Sequence, residues 1–319
     1  MKKLYNYIKL FIINLTAKTL SYFVSDSVDK RLLTILNLRA VIGKCNYRKI
    51  VTTIVFYRIY QFLLARNLTL LKYFRFNIIN YATLEKALHC ANGLFIPSIS
   101  FSLNTELFYF LSSRGFKVTF VFNNASYLDG FNTSIQQYQK IHGEGSFTGK
   151  IVLLDETPGA SIDSLKKVVE AFRSNEIVIS YIDNVNTQKN STKRMNYQFL
   201  GMEMSESSGL FEIVRRLGTP VLPAVAINTS FCKTNIVFHD EFFFVYTLPE
   251  CCAIAEIYNF FTSIIRHYPE KWLNWYSIKK KYRDQLQSEN QVADSIEYKS
   301  NGRKYTINIP SEVIIESLS

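Results

Sequence analysis

The chain has 319 residues, 48% of them hydrophobic and 15% aromatic, with 37 Lys and Arg against 26 Asp and Glu, a net charge of +11. Such a length buries a sizeable core, and such a composition excludes a disordered or low-complexity chain. The charge is uneven: up to Thr83 fourteen basic residues face only Asp26 and Asp29, a net +12, which leaves −1 for the rest.

In that first quarter the cations lie among aromatic and aliphatic residues, as in KKLYNYIKLFIINL and IVFYRIYQFLLARNLTLLKYFRF. Apolar side chains that enter an acyl layer, beside Lys and Arg that meet phosphate headgroups, describe an interfacial anchor. Each cation near an anionic surface adds roughly 1 kcal/mol. The competing account is a helical subdomain with a solvated basic face. Nucleic acid is not an expected partner, because no recognised nucleic-acid motif accompanies the charge. Lys9 and Lys18 leave only eight residues between them, too few to span a bilayer, and no small-residue cleavage site follows the apolar part. The segment is expected to lie on a membrane. Cys45, Cys90, Cys232, Cys251 and Cys252 have no metal-like spacing and are odd in number. They read as reduced structural thiols on the cytoplasmic side, and neither a metal nor a cofactor is expected.

From Ala82 onward short β-rich runs alternate with helical segments, which predicts an α/β fold with a mostly parallel sheet flanked by helices. The expected strands are 93–99, 117–122, 150–155, 176–182, 219–227 and 235–247. The expected helices are Asn104 to Ser113, Ala160 to Arg173, Ser205 to Leu217 and Glu250 to His267, with Gly115 and Gly218 at helix ends. KIVLLD and EIVISYI are continuous apolar runs, as buried central strands are, and lead to Asp155 and Asp183. Polar residues at the carboxyl ends of such strands face a ligand crevice. After Gln287 the chain turns polar, and Asn301-Gly302 between alternating runs predicts a type I′ hairpin. The expected division is a basic helical region 1–82, an α/β domain 83–287 and a hairpin appendage 288–319.

Several landmarks occur in a fixed order: the basic hydrophobic N-terminus, LEKALHCANGLFIPSISFSLNTEL, RGFKVTFVF, EIVISYIDN, YQFLGMEMSESSGLFEIVRRLGTPVLPA and RHYPEKWLNWY. In that order the chain, over roughly residues 1 to 285, resembles the bacterial lipid A lauroyl and myristoyl transferases of the lysophospholipid acyltransferase group. The resemblance implies an α/β enzyme peripheral on the cytoplasmic face of the inner membrane. Such an enzyme moves an acyl group from acyl carrier protein or CoA to a hydroxyl or amine of a lipid, glycolipid or other acceptor. It also implies a His followed five positions on by Asp or Glu, the imidazole acting as base and the carboxylate orienting it. Glu106 matches the carboxylate, beside Asn104, but Phe101 occupies the histidine position. The family's cations also fail to match: Asn123 stands where an Arg is usual, and Tyr276, Ser277 and Ile278 replace a basic run.

With the ring missing, the candidate catalytic residues are Glu106, Ser100, Ser102 and His142. His142 lies in KIHGEGSF, read as an adaptable loop between the second and third strands. A serine carrying the acyl group needs a base and an oxyanion hole, and no G-x-S-x-G turn is present. Asn104, Asn123, Asp183, Lys193 and Arg194 are the candidate substrate-binding residues; the last two sit in a polar loop suited to a headgroup or an acidic carrier. Two functions remain open: acyl transfer with a degenerate motif, or a catalytically silent homologue that binds acyl lipids or serves as an accessory protein.

Overall fold

The computed structural model describes residues 2–23, 28–90, 92–102, 105–122, 128–143, 145, 147–154, 158–183, 194–207, 209–245, 250–278, 295–300, 303–308 and 313–317. The chain opens with helices α1 (Lys2–Phe23), α2 (Val28–Ile42) and α3 (Tyr47–Ala65). On α1 the buried residues Leu10, Ile13, Ala17 and Ser21 recur at helical spacing, so one face packs inward. Asn46 caps α3, its side-chain oxygen accepting the Lys49 N–H at 3.0 Å. Among the described residues no helix is long and apolar enough to cross a membrane.

Strand β1 (Arg75–Ile79) and helix α4 (Tyr81–Leu88) follow. The chain then alternates strictly: β2 (Leu94–Ser98), α5 (Thr105–Ser113), β3 (Val118–Phe122), α6 (Leu128–His142), β4 (Gly149–Leu153), α7 (Pro158–Arg173) and β5 (Ile177–Tyr181). The four strands pair in parallel in the order β2-β5-β3-β4, with Phe95 opposite Val178 and Phe120 opposite Ile179. All five positions of β2 are buried, as expected of a strand covered on both faces. The segment 220–222 continues the sheet beyond β2: the Phe95 N–H donates to Pro220 O and the Leu222 N–H donates to Phe95 O, both at 2.9 Å.

Beyond β5 the order is β6 (Arg194–Phe199), β7 (Met202–Ser207), α8 (Gly209–Leu217), β8 (Ala224–Ser230), β9 (Lys233–Phe238) and α9 (Glu250–His267). β8 and β9 are antiparallel and β9 is parallel to β1. β1 precedes the boundary expected at residue 83, yet it belongs to this sheet, and one core runs from Leu10 to Trp275. Finally β10 (Ser295–Ser300), β11 (Arg303–Asn308) and β12 (Val313–Ser317) form an antiparallel sheet; the expected turn at Asn301-Gly302 lies outside the described residues.

Three expectations need correction. The helix expected from Ser205 begins at Gly209, because Met202–Ser207 is strand β7. Tyr197, Phe199, Met202 and Met204 are buried, an alternation that makes a ribbon. Leu200 and Gly201, at φ 57° and 85°, close it in the left-handed conformation. The single strand expected over 235–247 ends at Phe238, where His239 Nδ1 accepts the Glu241 N–H at 3.0 Å and turns the chain. The loop expected over KIHGEGSF loses its first three residues: Lys140, Ile141 and His142 close α6, a helix whose inner face includes buried Ile135 and Tyr138.

Candidate functional site

The carboxyl end of β2 leads into Ser100, Phe101 and Ser102, which pair with the segment after α9. The Ser102 N–H donates to Lys271 O at 2.7 Å and the Leu273 N–H donates to Ser100 O at 2.9 Å, with Phe101 bridging Trp272 between them. Ser102 adopts φ 48°, a left-handed conformation that turns the chain toward α5. This places Glu106 in the first turn of α5, where a carboxylate meets the positive end of the helix dipole.

Glu106 is nevertheless fully buried. Its Oε1 accepts the Thr234 hydroxyl at 2.6 Å, and Oε2 has no hydrogen-bond partner among the described residues. Burial pushes its pKa up to about 8, against the opposing pull of the Thr234 hydroxyl, the nearby Asn228 amide and the Lys271 ammonium. The side chain therefore holds a proton at neutral pH. Thr234 and Asn228 are cross-strand partners on β9 and β8, next to an irregularity between Asn228 and Ser230, the kind of defect that re-aims side chains. The Asn228 N–H donates to Ser102 Oγ at 3.3 Å.

Helix α3 closes this chamber. Burial, then Cys232 and then Glu106 raise the Tyr60 phenol well above its ordinary value, while burial and then the charge of Glu106 raise that of Tyr57. The same two causes push the Cys232 thiol up to about 12. Lys271 is buried as well: its Nζ donates to Asn228 O at 2.6 Å and lies 4.8 Å from the centre of the Tyr268 ring. Burial lowers its pKa, while Glu270 and Glu106 act in the opposite direction.

A second polar knot lies alongside. Asp183 follows β5 and is buried; its Oδ2 accepts from the Ser100 N–H at 2.8 Å, Trp272 Nε1 at 2.7 Å and Asn274 Nδ2 at 3.1 Å. Its Oδ1 accepts the Ser100 hydroxyl at 3.1 Å. Burial raises the Asp183 pKa, and the Trp272 and Ser100 hydrogen bonds oppose the rise. From outside, Arg58 Nη2 of α3 donates to Leu273 O at 2.7 Å, and Phe199 packs edge-on against Trp272 at 5.6 Å.

The structure thus brings Ser100, Ser102, Glu106 and Asp183 together. Asp183 and Ser100 satisfy each other instead of facing an open crevice. Asn104, Asn123 and Lys193 lie outside the described residues, as do the side chains of Arg194, which begins β6, and His142. No imidazole among the described side chains bonds to Glu106; His239 turns its Nδ1 to the Glu241 backbone. Phe101, in the ring's expected place, is 1% exposed. The chain matches no protein-family model and no curated protein. Among the described residues no group of His, Cys, Asp and Glu is placed to hold a metal ion.

Thr234, Asn228, Lys271, Trp272 and Asn274 complete the site and were not candidates from sequence. Lys271 and Trp272 lie in the YPEKW landmark, which points to them. Thr234 and Asn228 carry no motif and arrive by strand pairing alone. Of these, Thr234, Asn228 and Lys271 bring a carboxylic acid and an amine into one buried, hydrogen-bonded cluster.

Proposed function

We propose that this chain is a catalytically silent, acyltransferase-like protein that works at a lipid surface as an acyl-lipid-binding or accessory protein. One observation carries the reading: Glu106 is fully buried and bonded to Thr234, with burial pushing its pKa up, and Phe101 stands where a base is needed. A carboxyl so placed cannot orient an imidazolium; it serves as a buried hydrogen-bonding group. The lipid half of the proposal rests on the order of sequence landmarks, on a parallel sheet whose β2 leads to Glu106, and on the basic, apolar N-terminus. The finer fold is that of the glycerolipid acyltransferases with a C-terminal hairpin turning at Asn301-Gly302. The location is the cytoplasmic face of an inner membrane.

The test is incubation of the purified protein with acyl-CoA or acyl carrier protein thioester and membrane extract. Retention of fatty-acyl ligand in native mass spectra without acylated product is expected. Acylated product that disappears in Glu106→Gln would overturn the silent assignment.

Lys271 favours a second reading. It is a buried amine whose pKa burial lowers, and desolvated lysines act as general bases. In this version the protein transfers an acyl group from the thioester donor to a hydroxyl or amine acceptor. Lys271→Met would then cost about 10²- to 10⁴-fold in rate, and an unchanged rate would remove Lys271 from the chemistry.

A further inference from the structure

Helices α1 and α3 enclose a groove of ≈ 550 Å³ that lies apart from the Glu106 chamber. Its cations are Lys18, Arg48 and Lys49, set among neutral polar residues such as Asn14, Asn46 and Thr52, with no Asp or Glu in the lining. None of the three cations pairs with a carboxylate of the described residues. Arg48 and Lys49 also occupy the first turn of α3, which has no acid. Cations there oppose the helix dipole, so the fold alone gains nothing from them.

The groove borders an apolar stripe. Leu4, Ile8, Phe11, Ile12 and Leu15 of α1 recur at helical spacing and are exposed by 48% to 66%. Tyr22 belongs to both surfaces, lining the groove and standing 68% exposed beside the stripe. At 100° per residue, Asn14 and Lys18 fall along the flank of the stripe, between it and the buried face that includes Ser21. A lipid whose chains run beside the stripe would therefore present its phosphate to the three cations.

We infer that the α1–α3 groove binds the phosphate headgroup of an anionic membrane lipid while the α1 stripe enters the acyl layer. The inference rests on the membrane-surface reading above and adds a discrete site to it. A diffuse basic surface requires only charge; a groove requires these three residues in this place.

Vesicle co-sedimentation tests it, with phosphatidylcholine vesicles that contain or lack phosphatidylglycerol. The groove variant is Lys18→Gln, Arg48→Gln and Lys49→Gln together. The control, Lys44→Gln, Lys72→Gln and Arg75→Gln, removes the same charge from exposed positions of the same region. The groove variant is expected to bind phosphatidylglycerol vesicles at least about tenfold more weakly, and the control less than about threefold. Equal losses would overturn the groove and leave diffuse charge. Displacement by inorganic phosphate, beyond that by chloride at matched ionic strength, would overturn the lipid assignment in favour of a soluble anion. If the unaltered protein sediments with neither vesicle, the membrane-surface reading itself fails, and the groove proposal with it.

Discussion

Asp183 and Trp272, 89 positions apart in sequence, are joined by a 2.7 Å hydrogen bond from indole Nε1 to Oδ2. The bond ties the end of a central strand to the segment after the last long helix, and the Ser100 N–H and Asn274 amide share the same oxygen. Trp272→Phe keeps the aromatic contact with Phe199 but removes one charge-assisted donor. A loss of about 2 kcal/mol in unfolding free energy is expected, read by chemical denaturation. A loss below a few tenths would mean that water replaces the indole and that the knot is not closed.

Glu106 predicts how stability depends on pH. Its folded-state pKa of about 8 lies above the ordinary 4.5, so the native state holds a proton that the unfolded chain releases between those values. The contribution is fully present below about pH 4.5 and is lost as pH rises through about 8, with a limiting slope of ~1.4 kcal/mol per pH unit. Glu106→Gln keeps the shape and removes this slope, so the variant gains on the parent protein from pH 5 to 8. Asp183 is raised by burial too but is present in both proteins and cancels in the comparison. Parallel stability curves for the two proteins would contradict a buried, protonated Glu106.

Gly149 lets α5 lie close against the sheet. A Cβ there would sit 2.5 Å from both Phe108 Cζ and Ser112 Oγ, on the helix that carries Glu106. Gly149→Ala should cost about 1–3 kcal/mol through overpacking and shift α5. Thermal unfolding measures the cost, and a neutral substitution would mean that α5 is not held against β4.

His142 ends α6, between β3 and β4. If acyl transfer is detected, His142→Ala is expected to reduce it more than His89→Ala, the control at the end of α4. Product formation from a labelled acyl thioester provides the readout. Equal rates would remove His142 from the reaction.

Much of the α/β domain was readable because its elements are locally encoded. β2 and β5 are short apolar runs between helical segments, and their chemistry is the same whichever neighbours they find. β6 and β7 were harder to read, since MEMSES next to an amphipathic helix also reads as that helix's first turn. Only burial of Tyr197, Phe199, Met202 and Met204 on one face decides for a ribbon. α6 was missed because its apolar residues are few and polar ones surround them, so its inner face becomes legible only when packed.

The sequence by itself determined the uneven charge, the parallel α/β layout, the place of Glu106 at the start of a helix, and the absence of a histidine five residues before it. Each follows from residue identity and short-range periodicity. Only the tertiary structure decided that Glu106 is sealed beneath α3 and protonated, that Thr234 and Lys271 share its chamber, and that Asp183 is consumed by Ser100, Trp272 and Asn274. The physical reason is that pKa and hydrogen-bond satisfaction depend on what surrounds a group in space. Those surroundings come from strands and loops more than a hundred residues away, such as Thr234 on β9 beside Glu106 on α5.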